Sequence, residues 1–186
     1  MVSPMATVKW SFSSLKDFVN CPKQYNEVKV KQNFVKKVTE QMMYGTEVHK
    51  ALEDYVRDGT PLAKNYLRFK PMMDVLRDTP GTHYPEYKMA LCGERKPTAF
   101  DAPNYWVRGI VDFPDVEYIK GGLLFVAHNS FVPEEYKREE IDSLWRVFES
   151  SLSRLSHAFE TDSWPANPTP LCGWCPVKTC EFYKER

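Results

Sequence analysis

The chain has 186 residues, with 25 Lys plus Arg balanced by 25 Asp plus Glu. Hydrophobic residues make up 42% and charged residues 27%, a globular composition that excludes a disordered chain. A pI near 6.9 excludes nucleic-acid binding by bulk charge, while a local basic groove remains compatible with it. The longest apolar run, around Leu123 to Ala127, is too short to span a bilayer, so no membrane association is expected. Met1 to Trp10 has no signal-peptide-like apolar core, which predicts a cytoplasmic protein.

In chain order, the pattern first predicts a helix over Ser11 to Val19. Ser14 and Asp17 read as its capping pair, and Leu15, Phe18 and Val19 as its apolar stripe. Cys21-Pro22 breaks it. Tyr44 to Val56 reads as a second helix, with Tyr44, Val48, Ala51, Leu52 and Tyr55 on one face. Ala63 to Arg77 reads as a third, with Tyr66, Phe69, Met73 and Leu76 inward. Pro80-Gly81 marks a turn.

Beyond it the period changes to two. Pro85 to Leu91 alternates, with Tyr87, Met89 and Leu91 on one face, and Tyr105 to Phe113 follows as a second strand. Lys120-Gly121-Gly122 predicts a hairpin turn, and Leu123 to His128 a buried strand. A long helix is expected from Pro133, with Ile141, Leu144, Trp145, Phe148, Leu152, Leu155 and Phe159 on its apolar face. Trp164 to Pro170, with three prolines, reads as an extended arm. The expected class is α/β, with α+β as the alternative: a small mixed central sheet flanked by helices. A single domain over residues 1–186 is expected, with residues 164–186 as its tail.

The tail carries Cys172-Gly-Trp-Cys175 and then Cys180, a C-x2-C-x4-C pattern. Two thiolates three residues apart can grip one ion or cluster from a single turn, and a third closes the loop. A fourth thiolate completes the set, and Cys21, in the cysteine-proline break, is the natural candidate. Five cysteines without an export signal argue against a disulfide framework. Zinc and iron–sulfur both accept four thiolates, so spacing alone leaves both open. The alternative is three unrelated buried cysteines. Cys92, following a strand, reads as a small core residue.

Asp112, at the end of an apolar strand, is well placed to hold a divalent ion. His49 and Glu86 taken alone read as surface residues. Lys16, Lys23, Lys29, Lys31, Lys36 and Lys37 cluster with Tyr25 and Phe34 interleaved. That mixture suits phosphate contact and base stacking, or simply a solvated face.

Four motifs in order resemble the RecB-like nucleases of the PD-(D/E)XK superfamily. Ser11 to Leu15 with Phe18, Cys21-Pro22 and Tyr25 is similar to their opening motif, and Gly45 to His49 with Leu52 and Glu53 to their histidine motif. Glu86-Tyr87-Lys88 and Val107 to Asp112 resemble their first catalytic strand pair. Cys21, Cys172, Cys175 and Cys180 resemble the iron–sulfur staple of the AddB and CRISPR-adaptation exonuclease branch.

The resemblance implies a restriction-endonuclease-like fold whose cysteine tail closes onto the N-terminal region. It implies a [4Fe-4S] cluster (or zinc) on the four cysteines and Mg or Mn held by His49 and Asp112. Glu86 belongs to the same catalytic set. It also implies DNA, single-stranded or at ends, as partner through Lys23, Tyr25 and Lys29, in a phage or bacterial setting. A protein partner in recombination or defence is a further implication.

The family places an acid and a lysine where this chain has Ala127 and Asn129. Ala127 has no ligand atom and Asn129 no charge. The downstream motif near Glu140 to Leu144 is also weakened. The expectation is therefore a DNA exonuclease scaffold impaired as written. Three origins compete: a nuclease-dead natural homologue acting as decoy or inhibitor, inactivating substitutions, or roles transferred to His128, Lys120 or Lys88.

Overall fold

The computed structural model describes residues 8–80, 85, 87–111, 118–125 and 130–184. The chain is a mixture of helices and short β-strands. It divides into two compact units interleaved along the sequence. The first unit joins residues 1–37, 89–109 and 143–186, and the second joins residues 38–88 and 110–142.

In the first unit, α1 spans Phe12–Asn20 and α2 spans Pro22–Tyr25, continued by a π-helical turn over Asn26–Val30. The cap of α1 differs from the expected Ser14–Asp17 pair. Ser11 is the N-cap and Ser14 its reciprocal partner, each hydroxyl accepting the other residue's backbone N–H. A serine at the third helical position returns the bond over a shorter reach than glutamate would, so the box closes one turn earlier than the acidic pattern suggested.

Strands β1 (Tyr87–Cys92), β2 (Pro97–Thr98) and β3 (Tyr105–Val111) form a sheet ordered β2-β1-β3, with β1 and β2 antiparallel. Trp10 extends the β3 edge. Its N–H donates to the Trp106 carbonyl at 2.9 Å, and its own carbonyl accepts from Arg108 N–H at 3.2 Å. On β1, Ala90 is the buried residue, Tyr87 and Met89 are exposed, and Leu91 is half-buried, so the face carrying Tyr87, Met89 and Leu91 is not the buried one.

The long helix α5 spans Ile141–Thr161 and supplies Leu152, Leu155 and Ala158 to a core shared with Trp10, Leu15, Phe18, Tyr25 and Trp106. Trp106 and Trp145 stack at 5.7 Å, and Trp10 meets each of them edge-on. Leu144 and Phe159 lie at the margins of this face and stay partly exposed. At its C-terminus, Asp162 adopts φ 47, a left-handed geometry that aspartate tolerates better than most residues. Its carboxylate accepts from Trp164 Nε1 at 2.7 Å, turning the chain into the arm.

In the second unit, α3 spans Glu40–Asp58, starting one turn before the expected Tyr44 because Thr39 caps it. Gly59 ends it at φ 73, where only glycine is free of Cβ strain. A 3-10 turn over Lys64–Phe69 leads into α4, Lys70–Asp78. Val48, Leu52, Tyr55, Tyr66, Phe69 and Met73 close this core, matching the predicted periodicity. Tyr55 is pinned between the helices: its hydroxyl donates to Asp74 and accepts from Arg77 at 2.8 Å.

Strands β4 (Tyr118–Phe125) and β5 (Ser130–Lys137) pair antiparallel from Tyr118↔Lys137 to Phe125↔Ser130. Two expectations fail here. Gly121 and Gly122 lie within the ladder, opposite Glu134 and Pro133, and do not turn the chain. Pro133 sits in a strand, and the helix begins only at Ile141. Both strands of a two-stranded ribbon are edges, so a proline can present its missing donor outward.

Removal of the Leu155 side chain, 1% exposed, tests this core. Leu155→Ala should cost about 2–5 kcal/mol in urea denaturation. Leu144→Ala, at the helix margin, should cost less than about 1 kcal/mol.

Candidate metal centre

Pro22 is the origin of the site. A proline pushes the residue before it out of helical geometry, and Cys21 is extended at φ −162, ψ 104. That single residue ends α1, donating its N–H to the Asp17 carbonyl at 3.2 Å. It also begins α2, its Sγ accepting from Gln24 N–H at 3.5 Å. The Cys21 thiol thus stands at a break between two helices rather than on a helix face.

The tail reaches this break along the arm. Trp164 packs on Phe18, Tyr25 and Phe159, with centroids 5.0 to 6.3 Å away. Beyond it, Lys23 N–H donates to the Pro165 carbonyl at 3.2 Å, and Asn167 Nδ2 to the Asn20 carbonyl at 2.9 Å. Asn167 N–H also donates to Cys21 Sγ at 3.5 Å.

Local rules set the remaining cysteines. Thr169 caps a 3-10 turn over Pro170–Trp174, with Cys172 at its third position. Cys172 Sγ accepts from Thr169 N–H at 3.3 Å, and Cys175 N–H closes the turn on the Cys172 carbonyl at 3.2 Å. Cys180 ends the next turn, its N–H donating to the Val177 carbonyl at 3.2 Å.

Cys21, Cys172, Cys175 and Cys180 line one small pocket of about 20 Å³ that opens to solvent. No acid or histidine joins them in that lining, so the donor set is soft sulfur, suited to zinc or iron–sulfur and unsuited to magnesium. Each thiol has a donor or a neighbouring charge. Gln24 Nε2 donates to Cys175 Sγ at 3.5 Å. Burial pushes the Cys175 thiol above its ordinary range, a Val177 N–H bond opposes this, and the other three thiols reinforce it. Among the described residues, no three His, Cys, Asp or Glu side chains are set to hold a single ion as they stand. The sulfurs ring the pocket without closing on one centre, whereas a zinc site draws all four to about 2.3 Å.

Cys92 lies outside this group, half-buried at the end of β1. Sequence reasoning missed the supporting donors Gln24, Asn167 and Thr169. The signal was present locally, since each lies within three residues of a cysteine or in the proline arm.

The hydrolytic set is mostly beyond view. His49 is exposed on α3. Glu86, Asp112, Ala127 and Asn129 lie outside the described residues, as does His128.

The residues expected to contact DNA are placed as follows. Tyr25 is 6% exposed and stacked on Trp164, so its ring is core and unavailable to a base. Lys23 is paired with Glu181, which holds its ammonium above the usual lysine range. Lys31 pairs with Glu27, and Lys36 with Asp17. Lys29 is exposed and makes no ion pair among the described residues.

Comparison with known proteins decides little. A scan of family models, a search of curated proteins and a search of solved structures each return no match. The described helices include none long and apolar enough to cross a membrane.

The raised Cys175 thiol gives a signed prediction. Its folded pKa exceeds the unfolded value, so its contribution to stability is complete below the ordinary thiol range near 9.0 and fades as pH rises through it. In metal-free protein, ultraviolet thiolate titration should lose its most alkaline step in Cys175→Ser and keep it in Cys92→Ser.

Proposed function

We propose that this chain is a RecB-like DNA exonuclease scaffold, clasped by a [4Fe-4S] cluster on Cys21, Cys172, Cys175 and Cys180. Phosphodiester cleavage is impaired in it by Ala127 and Asn129. The observation that carries the reading is the meeting of Cys21 with three cysteines about 150 residues downstream around one pocket. Soft donors alone, with N–H groups on the sulfurs of Cys21, Cys172 and Cys175, fit a cluster in both chemistry and hydrogen bonding. Such a cluster ties the α1–α2 break to the tail, which is structural work.

On this reading the fold is restriction-endonuclease-like. Mg or Mn at His49 and Asp112 would stabilise the charge that develops as water attacks phosphorus. With alanine at position 127, one carboxylate of that site is gone. With asparagine at 129, the cation that would orient the attacking water is gone as well. Losses within a cooperating set are severe because the remaining members act only together.

The same two residues favour a second reading, a nuclease-dead homologue that binds DNA, or a protein partner in recombination or defence, without turnover. Two measurements separate the readings. Anaerobically purified protein should be brown and contain about four iron and four sulfide per chain. A colourless zinc protein would replace the cluster by zinc. On linear DNA with Mg or Mn, Ala127→Asp combined with Asn129→Lys should raise cleavage by about 10³-fold or more over the chain as written. No activity in the restored protein would sink the nuclease reading. Unaltered binding without cleavage would leave the binding reading in its place.

A further inference from the structure

With Lys23 ion-paired and Tyr25 buried, the N-terminal lysine cluster is a weaker polyanion surface than its composition implies. A different group in the first unit has the missing properties. Lys9 Nζ lies 4.6 Å from the Tyr105 ring centroid. The Arg108 guanidinium carbon lies 4.7 Å from the same ring and 5.0 Å from that of Phe100. Lys9, Tyr105, Arg108 and Phe100 therefore form one continuous stack of alternating cations and rings.

Backbone bonds place it. Trp10 is locked to β3 between Trp106 and Arg108, so Lys9 is held at the start of that strand. Several other cations are paired with acids: Lys36 with Asp17 at 2.8 Å, Lys50 with Asp54 at 2.7 Å, Lys70 with Asp74 at 2.7 Å, and Lys96 with Glu94 at 2.7 Å. Lys9 is exposed and has no ion pair among the described residues. Among the described residues Arg108 has one ion-pair partner, Asp101 at 3.5 Å, whose side chain is 88% exposed. A ring face holds a cation in position without cancelling its charge. An anion meeting this stack therefore finds two ordered positive charges, and the side-chain entropy of holding them has already been lost.

We infer that the Lys9–Tyr105–Arg108–Phe100 stack is a docking track for the phosphodiester backbone of a nucleic-acid strand. The inference rests on the proposed DNA reading and moves its contact surface away from Lys23 and Tyr25. Two cations on one ring suit successive phosphates, and the flanking aromatic surface suits a base more than a lipid or an acidic peptide.

The test is fluorescence anisotropy with a labelled oligothymidylate across a salt series. Lys9→Gln with Arg108→Gln should weaken binding roughly tenfold near 0.1 M salt, and should flatten the log K against log salt slope by about 1.4, the value for two single-strand phosphate contacts. Lys50→Gln with Arg57→Gln removes the same charge from α3 and should change binding less than about twofold if the contact is local. Lys9→Gln alone, at an exposed site, keeps the test valid if the double variant unfolds, and should remove about half of that slope change. Equal loss in both charge-matched pairs overturns the inference. So does unchanged binding in the Lys9/Arg108 variant while the parent binds, an outcome that leaves the DNA reading standing. No binding by the parent overturns both. Preferential capture of phosphatidylserine vesicles, lost in the same variant, would assign the stack to a membrane and overturn the nucleic-acid track.

Discussion

The first unit depends on a conformational constraint one residue wide. Pro22 forbids helical geometry at Cys21, and everything around the thiol pocket follows from that prohibition. Had the helix continued, Cys21 would project sideways from a helix face. Instead it caps two helices at once and turns its sulfur toward the break, where Gln24 and Asn167 donate to it. The backbone groups orphaned by the interruption are satisfied by the cysteine itself and by the arriving arm.

The arm reaches that break because of aromatic packing. Trp164 has Tyr25 stacked on it and Phe18 and Phe159 at its edges, and Asp162 orients its ring nitrogen. Three prolines keep the following residues extended, so the chain delivers Thr169 and the cysteine turns without a helix of its own. Tyr25 has a double function here. It follows the helix break in sequence, and it forms the floor on which the tail is laid. The same packing buries its ring against Trp164.

Charge distribution gives the second theme. Near-neutral composition conceals two populations of cations. Several lysines and arginines face acids, as in the Lys50–Asp54–Arg57 group on α3. Lys9 and Arg108 face rings, and Arg108 also meets the exposed Asp101. Counting lysines along the chain favours the segment near Lys29, because proximity in sequence shows neither who neutralises a cation nor which aromatic supports it.

Much was legible before any coordinates. Helical spacing located α3 and α5 and most of both cores, since a 3.6-residue period is a local property. The cysteine spacing showed that three thiols belong to one short segment, and the cysteine-proline pair pointed to the fourth. What stayed illegible was non-local. Gly121-Gly122 resembles a turn and Pro133 a helix start until each is seen opposite the other in a ribbon whose exposed edges tolerate both. Ala90 rather than Met89 is buried on β1, which alternation alone does not decide. Sequence alone determined which residues could form helices, a break and a soft-ligand set. Only tertiary structure decided that four cysteines line one pocket, that Tyr25 is buried, and that two cations rest on rings, because each depends on contacts between segments far apart along the chain, which no local period or spacing encodes.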